Sequence, residues 1–423
     1  MEEKKKNNKV TIIVLIVLLL AVIGGGIYVG QKYVGKGNTE EKNDPKPEEP
    51  KPPVKVDKDD MAFAFLKLEN NNKNLMYSPL SIRGAFQVLA EGAEDDSRKQ
   101  LDAMLGEYNT NVYKPIEGHL GYGNSIFIRD TYYDKVEKDY IELVNKKYGA
   151  EIIKDKFESA NNINKWIEDK TMGMIKNMLN DGQVANPDVK MIIANALSID
   201  MEWIHGFDPA NTYGEDFTKV DGSKMVAQMM HETFDDDNLS YYVDDDVNVV
   251  SLKLKQYEDI QFDVYAIMPN GDIDNYINDF NTNKFNELVG KLELASSHKG
   301  GIALSIPRFD YETKLELNKD LMALGVENIF SPSDAHLYRI VKKETSYPLY
   351  VSEVLHNSKV EFSEKGVKAA AATVIILKDN AMSISKDEPI VIKFNKPFIY
   401  VIKDNKTNAI WFVGTVFEPE ASK

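Results

Sequence analysis

Residues 364–383 read EKGVKAAAATVIILKDNAMS. The stretch opens on a charged turn, passes through four consecutive alanines, becomes β-branched and apolar, and ends polar. Alanine is the strongest helix former, whereas Thr373, Val374, Ile375 and Ile376 favour strands. One segment therefore carries two conformational preferences. Its alternate residues Val367, Ala369, Ala371, Thr373, Ile375 and Leu377 are small or apolar, and at period two they share one face of a strand. Lys368 falls on the other face, and no proline follows until Pro389. The pattern predicts a segment that is an exposed loop in one state and a central strand in another. By itself the alanine run suits an ordinary helix or tight packing equally well.

The chain around it has 423 residues, 43% of them hydrophobic and 28% charged, so most of it can bury a core and stay soluble. Its net charge of −16 argues against a nucleic-acid partner. There are no cysteines, which excludes disulfides and thiolate chemistry without excluding an extracytoplasmic address.

Residues 10–31 contain no charged side chain, and 11–23 are almost continuously aliphatic. About 20 residues of helix cross the hydrocarbon layer of a bilayer. Lys4, Lys5, Lys6 and Lys9 precede the run and keep the N-terminus cytoplasmic under the positive-inside rule. The expectation is a cytoplasmic tail (1–9), a transmembrane signal-anchor (10–31) and a single-pass cell-membrane protein whose main domain lies outside. If the segment is instead a signal peptide cleaved near Gly24 or Gly26, the protein is secreted. Residues 32–58 mix proline with both charge signs and are expected to form an extended linker.

From residue 59 to 423 the chain reads as one mixed domain without a second linker or internal repeat. Asp60 is positioned to cap a helix carrying Met61, Phe63, Phe65 and Leu68. Residues 81–105 and 161–179 read as further helix. Strands are expected at 124–128, 191–199, 262–268, 302–306, 391–394, 398–402 and 410–417, the last two joined as a hairpin by KDNKTNA.

No catalytic constellation emerges. There is no G-x-S-x-G elbow, no H-E-x-x-H and no phosphate-binding glycine loop. The six histidines are scattered. Ser383-Ile384-Ser385-Lys386 matches S-x-x-K, but the companion motifs of that chemistry are missing. The acid runs 235–237 and 244–246 lack the glycine and distal glutamate of a calcium loop and read as solvated hairpin turns. No cofactor or metal is expected.

Five longer stretches then resemble one family in order: NLMYSPLSIRGAFQVLAEGAEDDSRKQL (74–101), ANALSIDMEWIHGFDP (194–209), VDGSKMVAQMMH (220–231), LSIPRFDYETKLELNKDLMALGV (304–326) and FNKPFIYVIKDNKTNAIWFVGTVFEP (394–419). Together they are similar to the serpins, serine protease inhibitors that trap their targets covalently. The resemblance covers residues 59–420. It implies an α+β fold with a large, mostly antiparallel central sheet, smaller sheets, a set of helices and an exposed reactive loop.

Glu364, Gly366, Val367, Ala369, Ala370, Ala371, Ala372 and Thr373 match the family's hinge. In inhibitory members this part inserts as a new strand of the main sheet once a protease has cut the loop. Ser78, Ser81, Asn195 and His356 match the polar cluster beneath that sheet, and Trp203 the tryptophan near its top. Asp200 and Glu202 depart from the family's usual residues. The interval 105–124 is short, so the helix used for glycosaminoglycan activation is expected to be absent and heparin is not an expected partner.

The hinge spacing places the scissile bond at Asn380–Ala381, whereas local similarity to an inhibitor Met-Ser-Ile pattern favours Met382–Ser383. An Ala or Met before the cut suits an elastase-like or subtilisin-like serine protease, with cysteine proteases a further class. The resemblance thus implies a monomeric suicide-substrate inhibitor and not an enzyme. The alternative is a non-inhibitory member serving as a cell-surface binding module.

Overall fold

The computed structural model describes residues 60–106, 113–341, 349–367 and 387–419. All of these lie in the compact unit Pro53–Lys423. The tail, the apolar run and the linker expected within 1–58 lie outside the described residues. The expected single-pass membrane location is corrected. Among the described residues no helix is long and apolar enough to cross a membrane. The longest, Pro79–Glu91, has 13 residues, well short of the roughly 20 that a bilayer requires.

Local chemistry explains where the elements start and stop. Ser78 caps Pro79–Glu91 by accepting the Ser81 N–H, with proline at the first helical position where its missing N–H costs nothing. The helix ends at Gly92, where a Cβ would lie 2.1 Å from the Ile340 side chain. A second helix, Asp95–Leu105, follows, so the expected continuous helix 81–105 is two. The expected helix 161–179 is only Asn161–Lys170, because Met172 and Gly173 both take positive φ (54° and 78°) and end it. Asp60 precedes the helix Met61–Leu68 without capping it through its side chain. Its carboxylate instead accepts the Thr282 N–H and hydroxyl, at 2.8 and 2.6 Å, tying two helices together.

An antiparallel seven-stranded sheet runs in the order Leu75–Tyr77, Ile410–Val416, Phe398–Asp404, Phe262–Pro269, Val247–Lys253, Leu239–Val243, Glu293–Leu294. The hairpin expected at 398–417 supplies its second and third strands, with Val401 opposite Val413. Trp411, Tyr400 and Phe262 are essentially buried there. A four-stranded sheet, Ile390–Lys393, Ile302–Pro307, Lys224–Phe234 and Thr212–Thr218, covers part of the same core. The acid run 244–246 forms the turn between Leu239–Val243 and Val247–Lys253, where Asp244 Oδ1 accepts the Asp246 and Val247 N–H groups.

The remaining strands form one broad layer in two pieces. Glu151–Asp155, Leu120–Arg129 and Met191–Ile199 make a three-stranded piece; Phe309–Glu316, Leu355–Phe362, Gly366–Val367 and Met201–Glu202 make a four-stranded one. Met201–Glu202 continues Met191–Ile199 after Asp200, so the same run of chain borders both pieces. The fold is the expected α+β arrangement. Among the described residues, however, its central sheet is divided along most of its length.

Candidate functional site

The division defines a slot. Met191–Ile199 pairs with Leu120–Arg129 on one side, from Ile199 opposite Leu120 to Met191 opposite Ile128. Leu355–Phe362 pairs with Phe309–Glu316, also on one side. No ladder joins Met191–Ile199 to Leu355–Phe362 among the described residues. Their facing edges present backbone donors and acceptors without sheet partners, which natural sheets ordinarily cover or pair. Beneath the slot lies a cavity of about 170 Å³ lined by Ser81, Ile82, Phe86, Ile193, Asn195, Leu355, His356 and Asn357.

At its upper end the slot is already closed. Gly366 pairs with Glu202 and Val367 with Met201, while Val367 also pairs with Phe362. The first residues of the segment quoted above are thus laid down as strand between the two edges. Gly366 is required there by space. A Cβ would sit 2.0 Å from the Met201 carbonyl oxygen and 2.7 Å from the Glu202 Cα.

The residues before it are held from several sides. The Trp203 N–H donates to the Lys365 carbonyl at 2.8 Å, and its indole Nε1–H to the Ser363 carbonyl at 2.9 Å. The Trp203 ring meets Phe362 edge-on, with centroids 5.1 Å apart. Phe207 donates its N–H to the Glu364 carbonyl at 2.9 Å. Gly206 allows this approach, since a Cβ at that position would lie 2.8 Å from the same oxygen. The Glu364 carboxylate accepts the Thr212 hydroxyl at 2.8 Å and faces the Arg308 guanidinium at 3.8 Å. A buried carboxylate needs such partners.

Four of the residues singled out in sequence gather lower down. The Ser78 N–H donates to His356 Nε2 at 3.0 Å, and Ser81 and Asn195 line the cavity beside them. Asn195 Nδ2 donates to Asn124 Oδ1 across the adjoining strands. The Oδ1 atoms of Asn195 and Asn357 are buried without a hydrogen-bond partner among the described residues. Unsatisfied acceptors beside an open slot raise the energy of this arrangement. Burial pushes the His356 imidazole down to a pKa of about 4, so it is neutral and accepts through Nε2.

Trp203 is not part of that cluster but belongs to the upper closure. Ala369, Ala370, Ala371, Ala372, Thr373, Asn380, Ala381, Met382 and Ser383 lie outside the described residues. Sequence reading missed Asn124, Gly206, Thr212 and Arg308. The resemblance pointed to motifs, and these four act through contacts between segments far apart in the chain. Between Gly106 and Leu120 the described residues hold no helix. Tyr113 instead packs its ring against Trp411, with centroids 4.7 Å apart.

The family model described as "Serpin (serine protease inhibitor)" matches residues 59–419. The chain belongs to the serpin family. This serpin is 28% identical over 382 residues to an uncharacterized serpin-like protein of Methanosarcina acetivorans, covering 85% of this chain and 86% of that one. It is 28% identical over 384 residues to human serpin B7, covering 84% and 96%. Among solved structures it resembles the thermophilic serpin tengpin in its native state, with a TM-score of 0.71 and 26% identity over 91% of this chain and 96% of that one. Serpins are in general protease inhibitors rather than enzymes.

Proposed function

We propose that this serpin is an inhibitory member, acting as a suicide substrate for a serine protease of elastase-like or subtilisin-like preference. One observation carries the reading. The first two rungs of an additional strand, at Gly366 and Val367, already stand at the head of a slot whose two edges have no other partner among the described residues. In sequence, residues 368–377 carry the pattern that would extend such a strand, with small or apolar residues at alternate positions and no proline. Each rung added would gain about 0.5–1.5 kcal/mol in net hydrogen bonding, and large side chains such as Ile375 and Leu377 about 1.5–3 kcal/mol on burial.

The chemistry is acyl transfer. The protease serine attacks the Met382 carbonyl, the Met382–Ser383 amide bond breaks, and the Ser383 amine leaves with the proton returned by the protease's base. The ester then links the protease to residue 382 while the hinge enters the slot. Insertion drags the acylated protease away and deforms its site before water arrives. Asn380–Ala381 is the second candidate bond.

The test is incubation with subtilisin-like and elastase-like proteases, followed by denaturing electrophoresis and mass spectrometry. A stable complex and a released peptide beginning at Ser383 support the proposal. Cleavage of the loop by every protease without any complex overturns it and favours the binding-module reading.

A further inference from the structure

Beyond the far end of the segment the chain returns to the fold through a short strand, Ile390–Lys393. It is an edge strand, bound on one side only, parallel to Ile302–Pro307, with Lys393 opposite Ser305. Four residues of parallel ladder at an edge are a weak attachment. Side chains reinforce it on one face of the sheet. The Lys393 ammonium lies 2.6 Å from Glu215 Oε2, an ion contact without hydrogen-bond alignment. Glu215 sits on the opposite edge strand, Thr212–Thr218, with two strands between.

Between them stands His231. Its Nδ1 is 2.8 Å from Ser305 Oγ, and its ring stacks on Tyr213 with centroids 4.2 Å apart and planes 10° from parallel. Its Nε2 is buried without a hydrogen-bond partner among the described residues, 3.9 Å from Glu215 Oε1. The titratable and charged groups facing this imidazole are therefore Tyr213 and Glu215 from Thr212–Thr218 and Lys393 from Ile390–Lys393, with the Ser305 hydroxyl from Ile302–Pro307. One carboxylate, Glu215, is within reach of two bases, and only one of them is permanently charged.

We infer that Glu215, His231 and Lys393 form a proton-operated latch, in which protonated His231 takes Glu215 from Lys393 and loosens the strand Ile390–Lys393. At neutral pH the imidazole is uncharged and Glu215 serves Lys393. On acidification the imidazole takes up a proton and becomes a cation whose Nε2–H is a charged donor beside Glu215. The same proton places a second positive charge beside Lys393, so the old contact weakens as the new one forms. Burial and the Lys393 charge hold the imidazole below its ordinary value, against the pull of Glu215. The release therefore belongs to acidic rather than neutral conditions. The latch rests on the proposed function only for its consequence, since it would free the far end of the reactive segment; the latch itself is measured without any protease.

The experiment is amide hydrogen exchange on the full chain at several pH values, corrected for the intrinsic pH dependence of exchange and read at Ile390–Lys393. On acidification the wild type should lose protection there by about tenfold, the change expected when one charge-assisted contact is lost. His231→Gln and Glu215→Gln should both abolish that pH response. His231→Lys should show the acid-like exchange already at neutral pH. A wild type with no pH response at this strand overturns the latch, as does an unchanged response in either neutral variant or wild-type-like protection in His231→Lys.

Discussion

The Ser78 N–H donates to Nε2 of His356 across 3.0 Å, so the start of the helix Pro79–Glu91 is bonded to one edge of the slot. The acceptor exists only while the imidazole is neutral. Protonation would replace a lone pair with a second donor facing the Ser78 N–H.

That relationship sets a pH dependence. His356 is held to about 4 in the fold by burial, whereas an unfolded histidine titrates near 6.5. As pH falls, the unfolded chain binds the proton first. The stability involved is therefore fully present above about 6.5 and lost progressively toward 4, a span on the order of 3 kcal/mol. Thermal unfolding followed across this range should show His356→Gln with a distinctly flatter acid limb than the wild type. Parallel limbs would remove His356 from the account.

Asp320 acts with the opposite sign. Burial first, and Glu69 second, hold its carboxyl above the usual carboxylate range. The fold binds this proton more tightly than the unfolded chain, so its contribution is present in acid and fades as pH rises. Asp320→Asn should therefore raise the melting temperature at alkaline pH more than at acidic pH. An equal change at both would show that charge is not the cause.

Gly366 tests the upper closure. In Gly366→Val the added atoms would collide with the Met201 carbonyl and the Glu202 backbone. The first rung could not form, and insertion would start late. The loop should still be cut at its normal rate, but the ratio of cleaved inhibitor to trapped complex should rise several-fold. Electrophoretic titration against a fixed amount of protease measures that ratio.

Trp203→Phe removes the indole donor to the Ser363 carbonyl while leaving most of the ring packing against Phe362. The expected cost is about 0.5–1.5 kcal/mol, read by denaturant unfolding. Histidine at this position should cost more, because it also loses burial.

Much of the fold was legible where local pattern and tertiary contact agree. The strands 398–402 and 410–417 are apolar runs that flank a polar turn, and they pair as Phe398–Asp404 with Ile410–Val416. Legibility failed where a distant segment decides. The break at Gly92 answers to Ile340, and the Asp60 carboxylate is taken by Thr282. At the site, Ser78, Ser81, Asn195 and His356 were identifiable as motif residues; Ser81, Asn195 and His356 line one cavity, and Ser78 is bonded to His356. Thr212 and Arg308 were not, because nothing in their neighbourhoods records that Glu364 will arrive between them. The divided sheet was hidden for another reason. Met191–Ile199 and Leu355–Phe362 both read as ordinary strands, and a sequence of strands does not state which edges are left apart.

The most direct measurement is thermal unfolding of the intact chain and of the same chain cut once within residues 378–383 by a catalytic amount of protease. Insertion of the hinge segment should complete the divided sheet and raise the melting temperature by tens of degrees, given about 0.5–1.5 kcal/mol per new rung and about 2–4 °C per kcal/mol. A cut chain that melts with, or below, the intact one would contradict the account.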